Sequence, residues 1–157
     1  MTEYTAGKRD LDRKVLLLVE DSPDDELLAK RAIKKNNIPC EVVVVHDGLE
    51  AVNYLFAEGE YQGRDKSDTP AVILLDLKLP KLDGIEVLKQ IRADSVTCTI
   101  PVVMLTSSNE ENDIYKSYVH GVNSFICKPV DFDQFLDATR QIGMYWLSLN
   151  VTPMGSA

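Results

Sequence analysis

The sequence predicts an α/β fold, an open parallel sheet with helices on both faces. Three observations predict it. Five short apolar runs are nearly continuous rather than alternating, as strands covered on both faces are. Each run is followed by a stretch of helical character. The two patterns alternate strictly, with no internal repeat, low-complexity segment or second domain between them.

The run KVLLLVE, Lys14 to Glu20, reads as the first strand. In DSPDDELLAKRAIKKN, Ser22 can cap a helix and Pro23 fits its first position. Asp24, Asp25 and Glu26 then sit at the positive end of the helix dipole, and Lys30, Arg31, Lys34 and Lys35 lie toward its negative end. CEVVVVH reads as the second strand and GLEAVNYLFAEG as the second helix, with Ala51, Leu55 and Phe56 near helical spacing. A polar loop, EYQGRDKSDT, leads to a third strand, AVILLD. The helix DGIEVLKQIRAD places Ile85, Leu88 and Ile91 on one stripe. PVVMLT is the fourth strand, and NEENDIYKSYVHG a helix closed by Gly121. NSFICK is a short fifth strand, and DFDQFLDATRQIGMYWLSLN one long last helix.

Composition narrows the function. The chain has 157 residues, room for one domain and one sizeable core. Its formal net charge of -8 would repel phosphate backbones and anionic lipid, so neither nucleic acid nor membrane is an expected partner. No apolar run approaches a membrane span, and MTEYTAGKRDLDRK has no apolar core of a secretion signal. A cytoplasmic location is expected. The three cysteines, Cys40, Cys98 and Cys127, are odd in number and not at metal-ligand spacing, which suits reduced thiols. His46 and His120 each stand near a glycine turn and read as loop or helix-end residues rather than ligands or bases.

In open parallel sheets, ligands bind beyond the carboxyl ends of the strands. Glu20 and Asp21 follow the first strand, and Asp76 follows the third. Thr106, with Ser107 and Ser108, follows the fourth, and Lys128 with Pro129 follows the fifth. Singly, Asp21 or Asp83 would pass for a helix cap and Lys128 for a solvated lysine. Together they gather carboxylates, a lysine and a hydroxyl at one sheet edge. Clustered carboxylates need a cation or a proton to offset their repulsion. All-oxygen ligands suit Mg²⁺, which binds through a few carboxylates and phosphate oxygens. A nucleophilic carboxylate, a metal, a fixed cation and a hydrogen-bond donor are the parts for handling a phosphoryl group.

The stretches LLVEDSPDD, ILLDLKLPKLDG, PVVMLTSS and GVNSFICKPVD resemble, in order and spacing, a two-component response-regulator receiver domain. The resemblance covers roughly Val15 to Ile142. It implies a flavodoxin-like three-layer fold with a parallel sheet in the order 2-1-3-4-5, and a sensor histidine kinase as phosphoryl donor. By the same resemblance, Asp76 is the phosphoacceptor. Asp21 ligates Mg²⁺ directly, Glu20 acts through a metal-bound water, and the Lys78 backbone carbonyl is a further ligand. Thr106 hydrogen-bonds the phosphoryl group, and Lys128 pairs with Asp76 before phosphorylation and with the phosphoryl oxygens after. Phe125 is the aromatic switch that follows Thr106, and Lys128-Pro129 is expected to be cis. Glu20-Asp21 stands where many members carry Asp-Asp.

The long loop EGEYQGRDKSDTP and the extended end QIGMYWLSLNVTP are similar to small stand-alone regulators that partner phytochromes. Residues 1–13 are expected to be a flexible segment, 14–149 the receiver, and 150–157 a tail. About thirty residues follow the fifth strand, too few for an output domain, so the signal is expected to leave through the receiver's own surface. Leu136, Thr139, Gly143 and Trp146 follow helical spacing and are expected to face the core. Met144, Tyr145, Leu147, Leu149 and Val151 are left over. They favour a symmetric homodimer through the fourth helix, fifth strand and last helix. Two rivals remain. An aspartyl-phosphate phosphatase of the haloacid dehalogenase type resembles this arrangement but wants a second Asp where this chain has Lys78, so no enzyme is expected. A phosphorylation-independent binding module is disfavoured by the complete set Glu20, Asp21, Asp76, Thr106 and Lys128.

Overall fold

The computed structural model describes residues 14–153. The segment 1–13, expected to be flexible, and the end of the expected tail lie outside those residues.

Five strands form one sheet: β1 (Val15–Val19), β2 (Glu41–Val45), β3 (Val72–Leu75), β4 (Val102–Thr106) and β5 (Ser124–Cys127). All pairings are parallel and the spatial order is β2-β1-β3-β4-β5. Register aligns the carboxyl ends. Val19 stands beside Val45 and Leu75, and Thr106 stands beside Cys127. The residues that follow these positions therefore emerge together.

The helices are α1 (Pro23–Lys35), α2 (Gly48–Phe56), α3 (Gly84–Ala93), α4 (Glu111–Val119) and α5 (Phe132–Ile142). Four have a side-chain cap that satisfies an otherwise orphaned amide. Ser22 Oγ accepts from Asp25 N at 3.3 Å, Asp47 from Glu50 at 2.7 Å, Asp83 from Glu86 at 2.9 Å and Asp131 from Gln134 at 3.3 Å. Pro23 occupies the first position of α1, as its fixed φ favours. α4 has no such cap and ends at Gly121, whose φ of 97° lies in the region that glycine tolerates.

Side chains alternate between the two sheet faces. Leu17, Val19, Ile73, Leu75 and Met104 pack under α2 and α3, against Val52, Leu55, Val87, Leu88 and Ile91. Leu16, Leu18, Val72, Leu74, Val103 and Leu105 pack under α1 and α5, against Ala29, Ala32, Ile33, Phe135 and Ile142. Both faces are thus covered, which is why these strands are apolar throughout. α4 is the exception. Ser117 is its buried residue, while Tyr115, Tyr118 and Val119 are exposed.

Three details differ from the sequence reading. The last helix is not one α-helix: α5 gives way at Gly143 to a π-helix through Leu149. There the backbone bonds from i+5 to i, as Asn150 N does to Tyr145 O at 2.6 Å. Leu147 joins Ile142 in the core and is buried rather than left over, whereas Met144, Tyr145, Leu149 and Val151 are exposed. Thr139 and Gly143 are buried as expected and Leu136 and Trp146 partly so; Phe135, Ile142 and Leu147 are buried beside them. Lys128-Pro129 is trans, since no peptide bond among the described residues is cis. Trans is the form a tertiary amide prefers by about 0.5–1 kcal/mol unless packing selects the other. The polar loop is also more ordered than its composition suggests. It contains a short 3-10 turn, Gly59–Tyr61. The Arg64 guanidinium lies 3.8 Å from the centre of the Tyr54 ring and donates to the carbonyls of Tyr54 and Asp68.

His46 sits at the end of β2, with Nε2 2.8 Å from Glu26 Oε1. The cysteines are all free.

Candidate functional site

The site lies beyond the carboxyl edge of β1, β3, β4 and β5. Its parts are placed by backbone bonds that extend the sheet. Glu20 N donates to Val45 O at 3.0 Å, Asp76 N to Val19 O at 3.2 Å, and Lys128 N to Thr106 O at 2.7 Å. Each functional side chain is therefore fixed by the strand before it, not by a loose loop.

Glu20, Asp21 and Asp76 bring carboxylate oxygens within 4.8 Å of one another. Glu20 is buried, Asp76 partly buried and Asp21 exposed. Glu20 Oε2 accepts from Ser22 N at 3.2 Å, and Asp76 Oδ1 accepts from the Lys78 amide at 3.4 Å. Thr106 is buried at the end of β4, and its Oγ1 accepts from Ser108 N at 3.3 Å. Phe125 is half-buried on β5. It stands beside Met104 in register and packs on the core under α3.

One ammonium meets three carboxylates here. Lys128 Nζ lies 2.7 Å from Glu20 Oε1, 2.9 Å from Asp25 Oδ2 and 3.5 Å from Asp76 Oδ2. Burial pulls the Lys128 pKa down, but the bonds to Glu20 and Asp25 and the charge of Asp76 outweigh it and hold the group above its usual range. Burial pushes the Glu20 carboxyl up. Lys128 opposes that, and the Asp76 charge adds to it. Four carboxylates against one lysine leave an excess of negative charge. A hard divalent cation answers that excess, and an all-oxygen donor set is what it selects.

Of the residues expected at the site, Glu20, Asp21, Asp76 and Lys128 come together; Thr106 closes β4 on the same edge, and Phe125 lies within β5 and packs on the core. The Lys128 contacts are the main surprise. The sequence reading paired Lys128 with Asp76, yet its shorter contacts are to Glu20 and Asp25. From the sequence alone, Asp25 is a first-turn helix acid. The available signal was its spacing: with Ser22 as cap, Asp25 is the third helical residue and points back over the strand end.

Behind Asp76 the backbone is tightly packed. Gly84 N donates to Leu77 O at 2.7 Å. A Cβ on Gly84 would fall 2.8 Å from Leu77 Cα and closer still to the Asp76 carbonyl. Backbone cannot step aside as a side chain can. Gly84→Ala is expected to cost about 1–3 kcal/mol. It should lower the melting temperature by roughly 3–10 °C. Thermal unfolding followed by circular dichroism checks this, and an unchanged midpoint would show that the loop yields.

No helix among the described residues is long and apolar enough to cross a membrane.

Comparison with known proteins follows the same line. The family described as the response regulator receiver domain matches residues 16–140. Response regulator Rcp1 of Synechocystis sp. is 39% identical over 140 residues, covering 89% of this chain and 93% of that protein. Its Mn²⁺-bound crystal structure superposes with a TM-score of 0.81 at 38% identity, covering 89% of this chain and 99% of the other. The phosphorylated cyanobacterial phytochrome response regulator RcpA gives a TM-score of 0.83 at 42% identity, covering 90% and 99% of the two chains. The bacteriophytochrome response regulator RtBRR gives 0.72 at 50% identity, covering 91% and 86%.

Proposed function

The chain belongs to the response regulator receiver family, and from that premise we propose that Asp76 is the residue on which it accepts a phosphoryl group. The carrying observation is the placement of Asp76. It is fixed at the end of β3 by its amide, shares a 4.8 Å carboxylate cluster with Glu20 and Asp21, and has a lysine ammonium at 3.5 Å. In the transfer, an Asp76 carboxylate oxygen attacks phosphorus and forms the O–P bond of an acyl phosphate. The P–N bond of the donor phosphohistidine breaks, and the imidazole nitrogen keeps the electron pair.

Glu20, Asp21, Asp76 and the Lys78 carbonyl would hold the metal, and Mg²⁺ is the ion of choice for such oxygens. When bound, it neutralises charge on the transferring oxygens. The protein's own part is orientation and charge. Lys128 meets the phosphoryl oxygens, and the Thr106 hydroxyl turns toward them. Phe125, beside Met104 in register, then turns inward. Phosphorylation thus biases a two-state element made of Thr106, Phe125 and the loops beside them.

The donor is a sensor histidine kinase of the phytochrome class. What supports this is that RcpA and RtBRR, similar over most of the chain, are regulators of phytochromes and bacteriophytochromes. Signalling, rather than turnover of a substrate, is the role, and the cytoplasm is the place for it. Output passes through the protein's own surface as a homodimer built from α4, β5 and the segment after α5. Exposed Tyr115, Tyr118, Val119, Met144, Tyr145 and Leu149 support that reading.

Light scattering at tens of micromolar tests the assembly. Twice the 17.6 kDa protomer mass is expected. A monomer mass, with and without beryllofluoride, would leave the transfer chemistry standing and remove the dimer.

A further inference from the structure

The structure assigns a positioning role to Asp25: it holds the Lys128 ammonium off Asp76 and so slows phosphoryl uptake. The inference rests on the reading of Asp76 as acceptor. Lys128 Nζ lies 2.9 Å from Asp25 Oδ2 but 3.5 Å from Asp76 Oδ2. The contact to Glu20, at 2.7 Å, is made by a carboxylate that is buried beside the strand end. Asp25 is different. Its side chain is 41% exposed, and its backbone is fixed by the Ser22 cap on the first turn of α1. It is a partly exposed carboxylate on a capped first turn, paired with the cation that the incoming phosphoryl group needs.

Two effects act in the same direction. An ammonium shared with Asp25 must give up a short charged bond before it can turn fully to the oxygens on Asp76. The Asp25 charge also repels the incoming anion through the same small space. Asparagine at position 25 keeps the shape and an oxygen that accepts from Lys128, but removes the charge. Glutamate keeps the charge and adds reach. The amide alone should therefore release Lys128.

The test measures the rate of phosphoryl adduct formation from acetyl phosphate and Mg²⁺ by intact-protein mass, for wild type, Asp25→Asn and Asp25→Glu. A small donor removes any effect on kinase docking. Asp25→Asn is expected to take up the group about three- to tenfold faster, and Asp25→Glu to stay near the wild-type rate. Beryllofluoride affinity should rise in Asp25→Asn alone. A residue that only supported α1 would instead slow uptake and lower the melting temperature when changed. Uptake by Asp25→Asn at or below the wild-type rate, or equal acceleration by Asp25→Glu, overturns the inference while leaving Asp76 as acceptor. Absence of any adduct on the wild type would instead overturn the acceptor reading itself.

Discussion

Asparagine at position 76 is expected to abolish phosphoryl uptake and, without divalent cation, to raise the melting temperature. The first effect is chemical, since an amide is no nucleophile for phosphorus. The second comes from charge. Asp76 shares its 4.8 Å cluster with Glu20 and Asp21, and among the described residues the cation that contacts Glu20 and Asp76 is Lys128. The Glu20 carboxyl is raised by burial first, with Asp76 adding to the rise. A carboxyl raised by folding costs stability above its folded pKa and relieves it below, so at neutral pH removing the Asp76 charge lowers that cost. What the variant loses is small, because the Lys128 contact to Asp76 is the longest of its three. A gain of about 1 kcal/mol would move the midpoint up by roughly 2–4 °C. With Mg²⁺ the order should reverse, because the wild type keeps one more ligand to bind the ion. Thermal unfolding with EDTA and with Mg²⁺ decides it. A lower midpoint for Asp76→Asn in EDTA would show that the cluster is not strained by its charge.

Methionine at position 128 should have the opposite effect. Lys128 is mostly buried and touches Glu20, Asp25 and Asp76. Removing it leaves Glu20 buried without its cation, and breaking such a pair costs more than the pair itself contributes. A loss of about 3 kcal/mol at neutral pH is expected. The midpoint in EDTA should fall by roughly 6–12 °C. Mg²⁺ should restore part of it, by supplying the positive charge that the side chain gave. Equal midpoints for Lys128→Met and wild type in EDTA would mean that water already screens the cluster.

Most of this fold was legible because its signals are local. Continuous apolar strands such as Val72 to Leu75 report burial on both faces, and Ser22 and Asp83 mark helix starts by residue type and position. The site was legible for a related reason. In a parallel sheet the residues after each strand share one edge, so Glu20, Asp76, Thr106 and Lys128 could be gathered without knowing a distance. What escaped needed three dimensions. Which carboxylate Lys128 prefers depends on fractions of an ångström at the end of a long side chain. The switch from α to π winding falls at Gly143, where the Ile38 side chain takes the place a Cβ would fill, a contact distant in sequence that no local pattern encodes. Leu147 was therefore assigned to the wrong side of the last helix. Arg64, read as part of a polar loop, folds that loop by stacking on Tyr54.

The central claim is that this chain takes a phosphoryl group on Asp76 with the help of a divalent cation. Intact-protein mass spectrometry after incubation with acetyl phosphate tests it most directly, with Mg²⁺ and with EDTA, followed by peptide mapping of the adduct. One phosphoryl adduct that requires Mg²⁺ and maps to the peptide carrying Asp76 is the predicted result. An adduct that forms equally in EDTA, or maps to another residue, would contradict it.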